Sequence, residues 1–168
     1  MNDKLICIIG FMGSGKTAVA DALSKLLERL CVDLDERIED IEGRSPAQII
    51  TEDGEQAFRE KETAVLRELL HRAQESVVAL GGGAWTIAVN RELIRSVDSL
   101  VVWLDTPFDV CWQRIEQDAQ LRPMAPSRAA AEGLFSERLA FYQMADLRIG
   151  FAGESPAQIA KEIATLLQ

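Results

Sequence analysis

Residues 10–17 read Gly10-Phe11-Met12-Gly13-Ser14-Gly15-Lys16-Thr17, a full match to G-x-x-x-x-G-K-[ST]. This spacing suits the binding of nucleotide phosphates. Glycines let the backbone approach an anion where side chains would block it. The N–H groups of Gly13, Ser14, Gly15, Lys16, Thr17 and Ala18 then face the phosphates at the mouth of a helix. Lys16 reaches the β- and γ-phosphates as a point charge, and Thr17 offers its hydroxyl to Mg²⁺. Further along stand Asp33 and Asp35, one residue apart after a strand-like segment, where an extended backbone points both to one side. Asp33 is equally placed to cap a following helix, with Asp35 and Glu36 at its positive end. Arg59 opens an amphipathic stretch and has Glu55 and Glu62 at ion-pair spacing. Gly81-Gly82-Gly83 closes an apolar run, exposing backbone N–H groups where open α/β sheets bind ligands.

These residues need elements to hold them. Leu5–Ile9 is an aliphatic run of the kind found in buried parallel strands, and 17–29 follows as a helix with Ala18, Ala22, Leu23, Leu26 and Leu27 on one stripe. Residues 30–32 form a short apolar segment, and no Gly or Pro separates it from that helix. A helix over 33–42 ends at Gly43, and Ser45-Pro46 starts another as a cap and first-turn proline. Helical spacing recurs over 58–72, and strands are expected at 77–80, 100–104 and 147–149. Such alternation means crossover connections and a parallel sheet covered on both faces. Residues 115–133 are polar and rich in Ala and Pro, the character of a mobile lid.

The chain has 168 residues, 48% of them hydrophobic and 27% charged, values of a single globular domain. The longest apolar runs fall far short of the ~20 residues of a membrane span, and the first residues lack the pattern of a secretory signal. Cys7, Cys31 and Cys111 are too few to pair fully and are not in metal-binding spacing, so a reduced cytoplasmic setting suits them. A net charge of −9 argues against broad binding to nucleic acid or anionic membranes. An anionic ligand then requires a local cluster of cations. His71 stands alone on a polar helix face. Trp85, Trp103 and Trp112 read as packing residues.

From the phosphate loop onward the chain resembles the shikimate kinase family. The resemblance continues through Val32-Asp33-Leu34-Asp35-Glu36, Gly54-Glu55-Gln56-Ala57-Phe58-Arg59, Leu80 to Ala84, Leu121-Arg122-Pro123, and Arg138 with Tyr142. It implies a nucleoside-monophosphate-kinase-like P-loop α/β fold with three layers. The five-stranded parallel sheet has order 2-3-1-4-5, and one kinase domain spans the whole chain. A substrate-binding region lies near 33–61 and a lid near 115–133. The implied activity transfers the γ-phosphate of ATP to the 3-hydroxyl of shikimate, a step toward chorismate and the aromatic amino acids. By the same resemblance Asp33 joins Thr17 in the Mg²⁺ shell, and Asp35 binds substrate hydroxyls and serves as candidate base. Arg59 and Arg138 clamp the shikimate carboxylate, Gly81, Gly82 and Gly83 line its pocket, Arg114 stacks on adenine, and Arg122 closes over the phosphates. Lys16, Asp35 and Arg122 are the implied catalytic residues. The expected partners are ATP and shikimate, with no nucleic acid or membrane, and the expected state is a monomer.

Four places in the chain depart from the family pattern. Ala18 replaces a second hydroxyl residue, Met124-Ala125 follows the lid arginine in place of Leu-Leu, and Ala140-Phe141 replaces Pro-Leu between Arg138 and Tyr142. The loop Gly153-Glu154-Ser155-Pro156 lacks an arginine for a second adenine contact. The alternatives that this sequence leaves open are another small-molecule kinase of this fold, of gluconate or nucleotide type, and a non-catalytic nucleotide-binding relative.

Overall fold

A computed structural model describes residues 4–72, 76–118 and 122–167. Five parallel strands, β1 (Leu5–Ile9), β2 (Leu30–Asp33), β3 (Ser76–Ala79), β4 (Ser99–Asp105) and β5 (Leu147–Gly150), form one sheet in the order β2-β3-β1-β4-β5. The architecture is therefore the expected three-layer α/β fold with strand order 2-3-1-4-5. The strands' period of two divides the core between the faces of the sheet. Leu5, Cys7 and Ile9 point into one cluster, and Ile6 and Ile8 into the other. The second cluster is closed by α1 (Lys16–Leu27) and α8 (Pro156–Leu166), through Val19, Leu23, Ile159 and Ile163. The first is closed by α2 (Leu34–Glu42), α3 (Pro46–Asp53), α4 (Glu55–Leu70), α5 (Ala88–Arg95), α6 (Phe108–Gln117) and α7 (Arg128–Tyr142).

The end of α1 explains the boundary that lacked a glycine or proline. Glu28 adopts φ 56°, ψ 43°, a left-handed cap, and the Arg29 N–H donates to the Ser24 carbonyl at 2.9 Å. The helix thus stops at Leu27, short of the expected 29. Gly43 caps α2 with a left-handed φ of 67°, and Ser45 starts α3 with a reciprocal capping box with Gln48, as the local pattern implies. Helix α4 begins at Glu55, three residues before its first apolar anchor Phe58. Gly54 ends one helix and opens the next there.

The span read as a lid is helical at both ends. Helix α6 runs to Gln117 and α7 starts at Arg128, capped by the Ser127 side chain, so of the described residues in that span only 118 and 122–127 lie outside helices. Leu121 and its two preceding residues lie outside the described residues. Helix α7 passes without interruption through Arg138 and Tyr142, because Ala140 keeps the backbone N–H that a proline lacks. Among the described residues no helix is long and apolar enough to cross a membrane.

Candidate functional site

The C-terminal ends of β1, β2 and β3 open onto one crevice. Beyond β1, the loop turns with Gly13 at φ 75° and Gly15 at φ 95° and delivers the chain into α1. Gly13 has no room for a side chain, since a Cβ there would lie 2.6 Å from the Cys111 carbonyl oxygen. The Lys16 ammonium folds back to donate to the Phe11 carbonyl at 2.8 Å. Burial pushes its pKa down to about 8, with Asp35 among the charges that oppose the fall. Ser14 is buried, and its hydroxyl has no partner among the described residues. Arg114 leans over the loop from α6, with Nη1 donating to the Gly13 carbonyl at 3.0 Å and its guanidinium 5.1 Å above the Phe151 ring.

At the end of β2, Asp33 caps the following helix, as its position allowed, and also meets the head of the phosphate loop. Its Oδ1 accepts from the backbone N–H groups of Asp35 and Glu36 at 2.9 and 3.3 Å, capping α2. Its Oδ2 accepts from the Thr17 hydroxyl at 2.7 Å. Asp33 and Asp35 are therefore not neighbours on an extended segment as the spacing suggested. The cap turns the chain into a helix between them, sending Asp33 toward the loop and Asp35 toward β3. Burial, with the charge of Asp33 adding, raises Asp35 above the usual carboxylate range, against the pull of Lys16, Arg59 and Arg122.

The three glycines after β3 are where the remaining side chains meet. A Cβ on Gly81 would stand 2.7 Å from Asp35 Oδ1. One on Gly82 would stand 3.1 Å from Arg138 Nη1 and 3.4 Å from the Met12 nitrogen of the phosphate loop. One on Gly83 would sit 2.2 Å from Arg59 Nη2. Side chains from α2, α4 and α7 thus fill the space that glycine leaves. Arg138 is only 6% exposed despite its charge. It lies beside Tyr142, whose hydroxyl donates to the Gly82 carbonyl at 2.6 Å, and 5.9 Å from the Phe11 ring centroid. Arg59 makes both ion pairs its spacing allows, with Glu55 and more closely with Glu62 at 2.8 Å. Its guanidinium still reaches Gly83, so pairing and convergence coexist. Arg122 is held by Asp118 at 2.7 Å, and its Nε is buried without a partner among the described residues.

Two contributors escaped notice in the sequence. Glu62 appeared only as a partner for Arg59, yet it is fully buried. Its position between Phe58 and Leu66 on the apolar stripe of α4 was the available signal: an acid there must have buried company. Phe11 was read merely as a loop residue, and nothing local marks it as the ring beneath Arg138. His71 is exposed, and Cys7, Cys31 and Cys111 are free thiols. Trp85 is buried and ties its turn to α7 by donating from Nε1 to the Phe141 carbonyl at 2.9 Å.

The chain matches the sequence model of the family described as Shikimate kinase over residues 12–168. A shikimate kinase of Persephonella marina is 35% identical over 158 residues, covering 94% of this chain and 95% of that protein. One of a Synechococcus strain is 38% identical, covering 94% and 84%. Among solved structures, the shikimate kinase from Acinetobacter baumannii in complex with shikimate superposes with a TM-score of 0.91 at 34% identity, covering 98% of this chain and 92% of that one.

Proposed function

The chain belongs to the shikimate kinase family, and from that membership we propose that it transfers the γ-phosphoryl group of ATP to the 3-hydroxyl of shikimate, giving shikimate 3-phosphate and ADP. The observation that carries the acceptor half is the meeting of Asp35, Arg59 and Arg138 on Gly81–Gly83, directly against the phosphate loop. A small acid bearing hydroxyls asks for that set: guanidinium groups for its carboxylate and an anionic acceptor for a hydroxyl.

Phosphoryl transfer needs positioning and charge neutralisation more than covalent chemistry. Backbone N–H groups of Gly13 through Ala18 hold the phosphates, and Arg114 offers its guanidinium face to the base. Lys16 and Arg122 offset charge on the transferring group. Arg59 and Arg138 anchor the substrate carboxylate so that the hydroxyl is presented to Asp35. Its raised pKa suits Asp35 to accept that hydroxyl's proton as the bond to phosphorus forms. Thr17 and Asp33 fit a hard divalent cation, since they bring two oxygen donors to the head of the loop 2.7 Å apart. Mg²⁺ is the expected ion, completed by phosphate and water oxygens. When bound it supplies further neutralisation of the phosphates. The free thiols support a reducing, cytoplasmic setting.

Release of ADP tests the reading. With Mg²⁺ and ATP, shikimate should raise the rate far above background, while gluconate and nucleoside monophosphates should not. A background rate with shikimate alongside stimulation by another acceptor would overturn it.

A further inference from the structure

Glu62 is placed where an acid is costly. It has 0% exposure and lies on the inward stripe of α4 beside Phe58 and Leu66. One oxygen, Oε2, accepts from Arg59 Nη1 at 2.8 Å. The other, Oε1, is buried with no partner among the described residues. It lies 3.2 Å from the point where a Cβ on Gly81 would stand, and Asp35 Oδ1, also buried without a partner, lies 2.7 Å from the same point. Two acceptor oxygens therefore flank one small space, and neither has a donor among the described residues. A buried carboxylate in that position is relieved by a proton.

The charged groups facing Glu62 are Arg59 on its own helix, with Glu55 on the far side of that guanidinium, Asp35 from α2 and Arg138 from α7. The loop after β3 adds only glycine at the contact. Burial raises Glu62 to about 7, and the charge of Asp35 pushes the same way against the pull of the two arginines.

We infer that Glu62 is a proton-controlled competitor for Arg59: ionised, it holds the guanidinium as an internal counter-ion, and protonated, it yields that charge to the carboxylate of the substrate. The inference rests on the reading above that Arg59 receives a substrate carboxylate. The sign follows from linkage. A second anion at Arg59 raises the affinity of Glu62 for its proton, so substrate binding takes up a proton. Below the pKa of the empty site the proton is already present and affinity is flat. Above it, each binding event must recruit one, and affinity falls as pH rises. The substrate carboxylate has finished titrating near pH 4 and adds no slope in this range, whereas a slope arising from Asp35, whose carboxyl burial also raises, would persist in Glu62→Gln.

Calorimetric titration of the full chain with shikimate, in buffers of different ionisation enthalpy between about pH 6 and 8.5, reads both affinity and proton uptake. The wild type should take up about half a proton near pH 7, and its Kd should rise toward about tenfold per pH unit above that. Glu62→Gln, neutral and nearly the same shape, should bind with a flat profile and no uptake, with nucleotide affinity unchanged. A flat wild-type profile, or the wild-type slope persisting in Glu62→Gln, would overturn the inference. Carbon-13 NMR of the Glu62 carboxyl in the empty wild-type protein is an independent arm. A midpoint near 7 supports the inference, and one below about 5 overturns it. That arm decides even if the variant fails to fold or shikimate fails to bind. The latter result, with nucleotide still bound, would count against the acceptor assignment instead.

Discussion

Arg59 and Arg138 reach adjacent glycines from different helices, and each is a charge-assisted donor to the proposed carboxylate. Removing either by Arg59→Ala or Arg138→Ala should cost about 1.5–3 kcal/mol of binding, or roughly ten- to a hundredfold in shikimate affinity. Nucleotide affinity should barely move, and equilibrium titration of both ligands checks the pair. The aspartates divide differently. Asn at position 33 keeps an oxygen to cap α2 but loses the charge beside Thr17. Asp33→Asn should therefore alter the magnesium dependence of turnover while shikimate affinity stays near wild type. Asp35→Asn keeps the shape beside Gly81 but loses the anionic acceptor. It should weaken shikimate binding, turnover or both with magnesium dependence unaltered. Turnover measured across a magnesium series for both variants separates these outcomes. An equal magnesium shift in both, with shikimate untouched, would make the two carboxylates one metal site.

The turn after β3 and the loop after β1 both depend on glycine, for reasons that a methyl group distinguishes. On Gly83 the added carbon would strike the end of the Arg59 side chain, which must shift and strain its pair with buried Glu62. Gly83→Ala should bind nucleotide normally, yet lose roughly tenfold or more in shikimate affinity, because the guanidinium no longer stands where it is needed. On Gly13 the carbon meets the backbone carbonyl of Cys111 at 2.6 Å, and the φ of 75° disfavours any side chain. Gly13→Ala should destabilise the fold and lower nucleotide affinity together. Thermal unfolding beside two-ligand titration tells the cases apart. Helix α7 shows a comparable economy. Ala140 lets it run unbroken, so Arg138 and Tyr142 come to the glycines one turn apart from a rigid support.

The molecule carries a net charge of −9, yet Lys16, Arg59, Arg122 and Arg138 gather at the C-terminal edge of the sheet, a local cluster of cations set among the acids that pair with them. Ligands bound as proposed at that edge would bridge the loop after β1, α2, α4 and α7, so occupancy should stabilise the entire domain. Saturation at about a hundred times Kd adds about 2.7 kcal/mol, which for a chain of this size raises the melting temperature by roughly 5–10 °C. Scanning calorimetry with shikimate, and with gluconate as the control that leaves the melting temperature unmoved, measures it. The elements themselves were legible because each depends on near neighbours. The aliphatic run at 5–9, the phosphate loop, the Ser45-Pro46 start of α3 and the Gly43 stop of α2 are all specified within a few residues of chain. The glycine-free end of α1 was not, since it relies on Glu28 accepting a left-handed backbone before β2. The phosphate loop, the order of elements and the family resemblance were determined by the sequence alone. Only the tertiary structure decided that Asp35, Arg59 and Arg138 share one wall of glycines, that Asp33 both caps a helix and meets Thr17, and that Glu62 is sealed beside Arg59 with an oxygen to spare. The first two sets of contacts join groups from separate elements, and the burial of Glu62 depends on the crevice packed over its own helix; spacing along the chain encodes neither, and burial sets the charge states there.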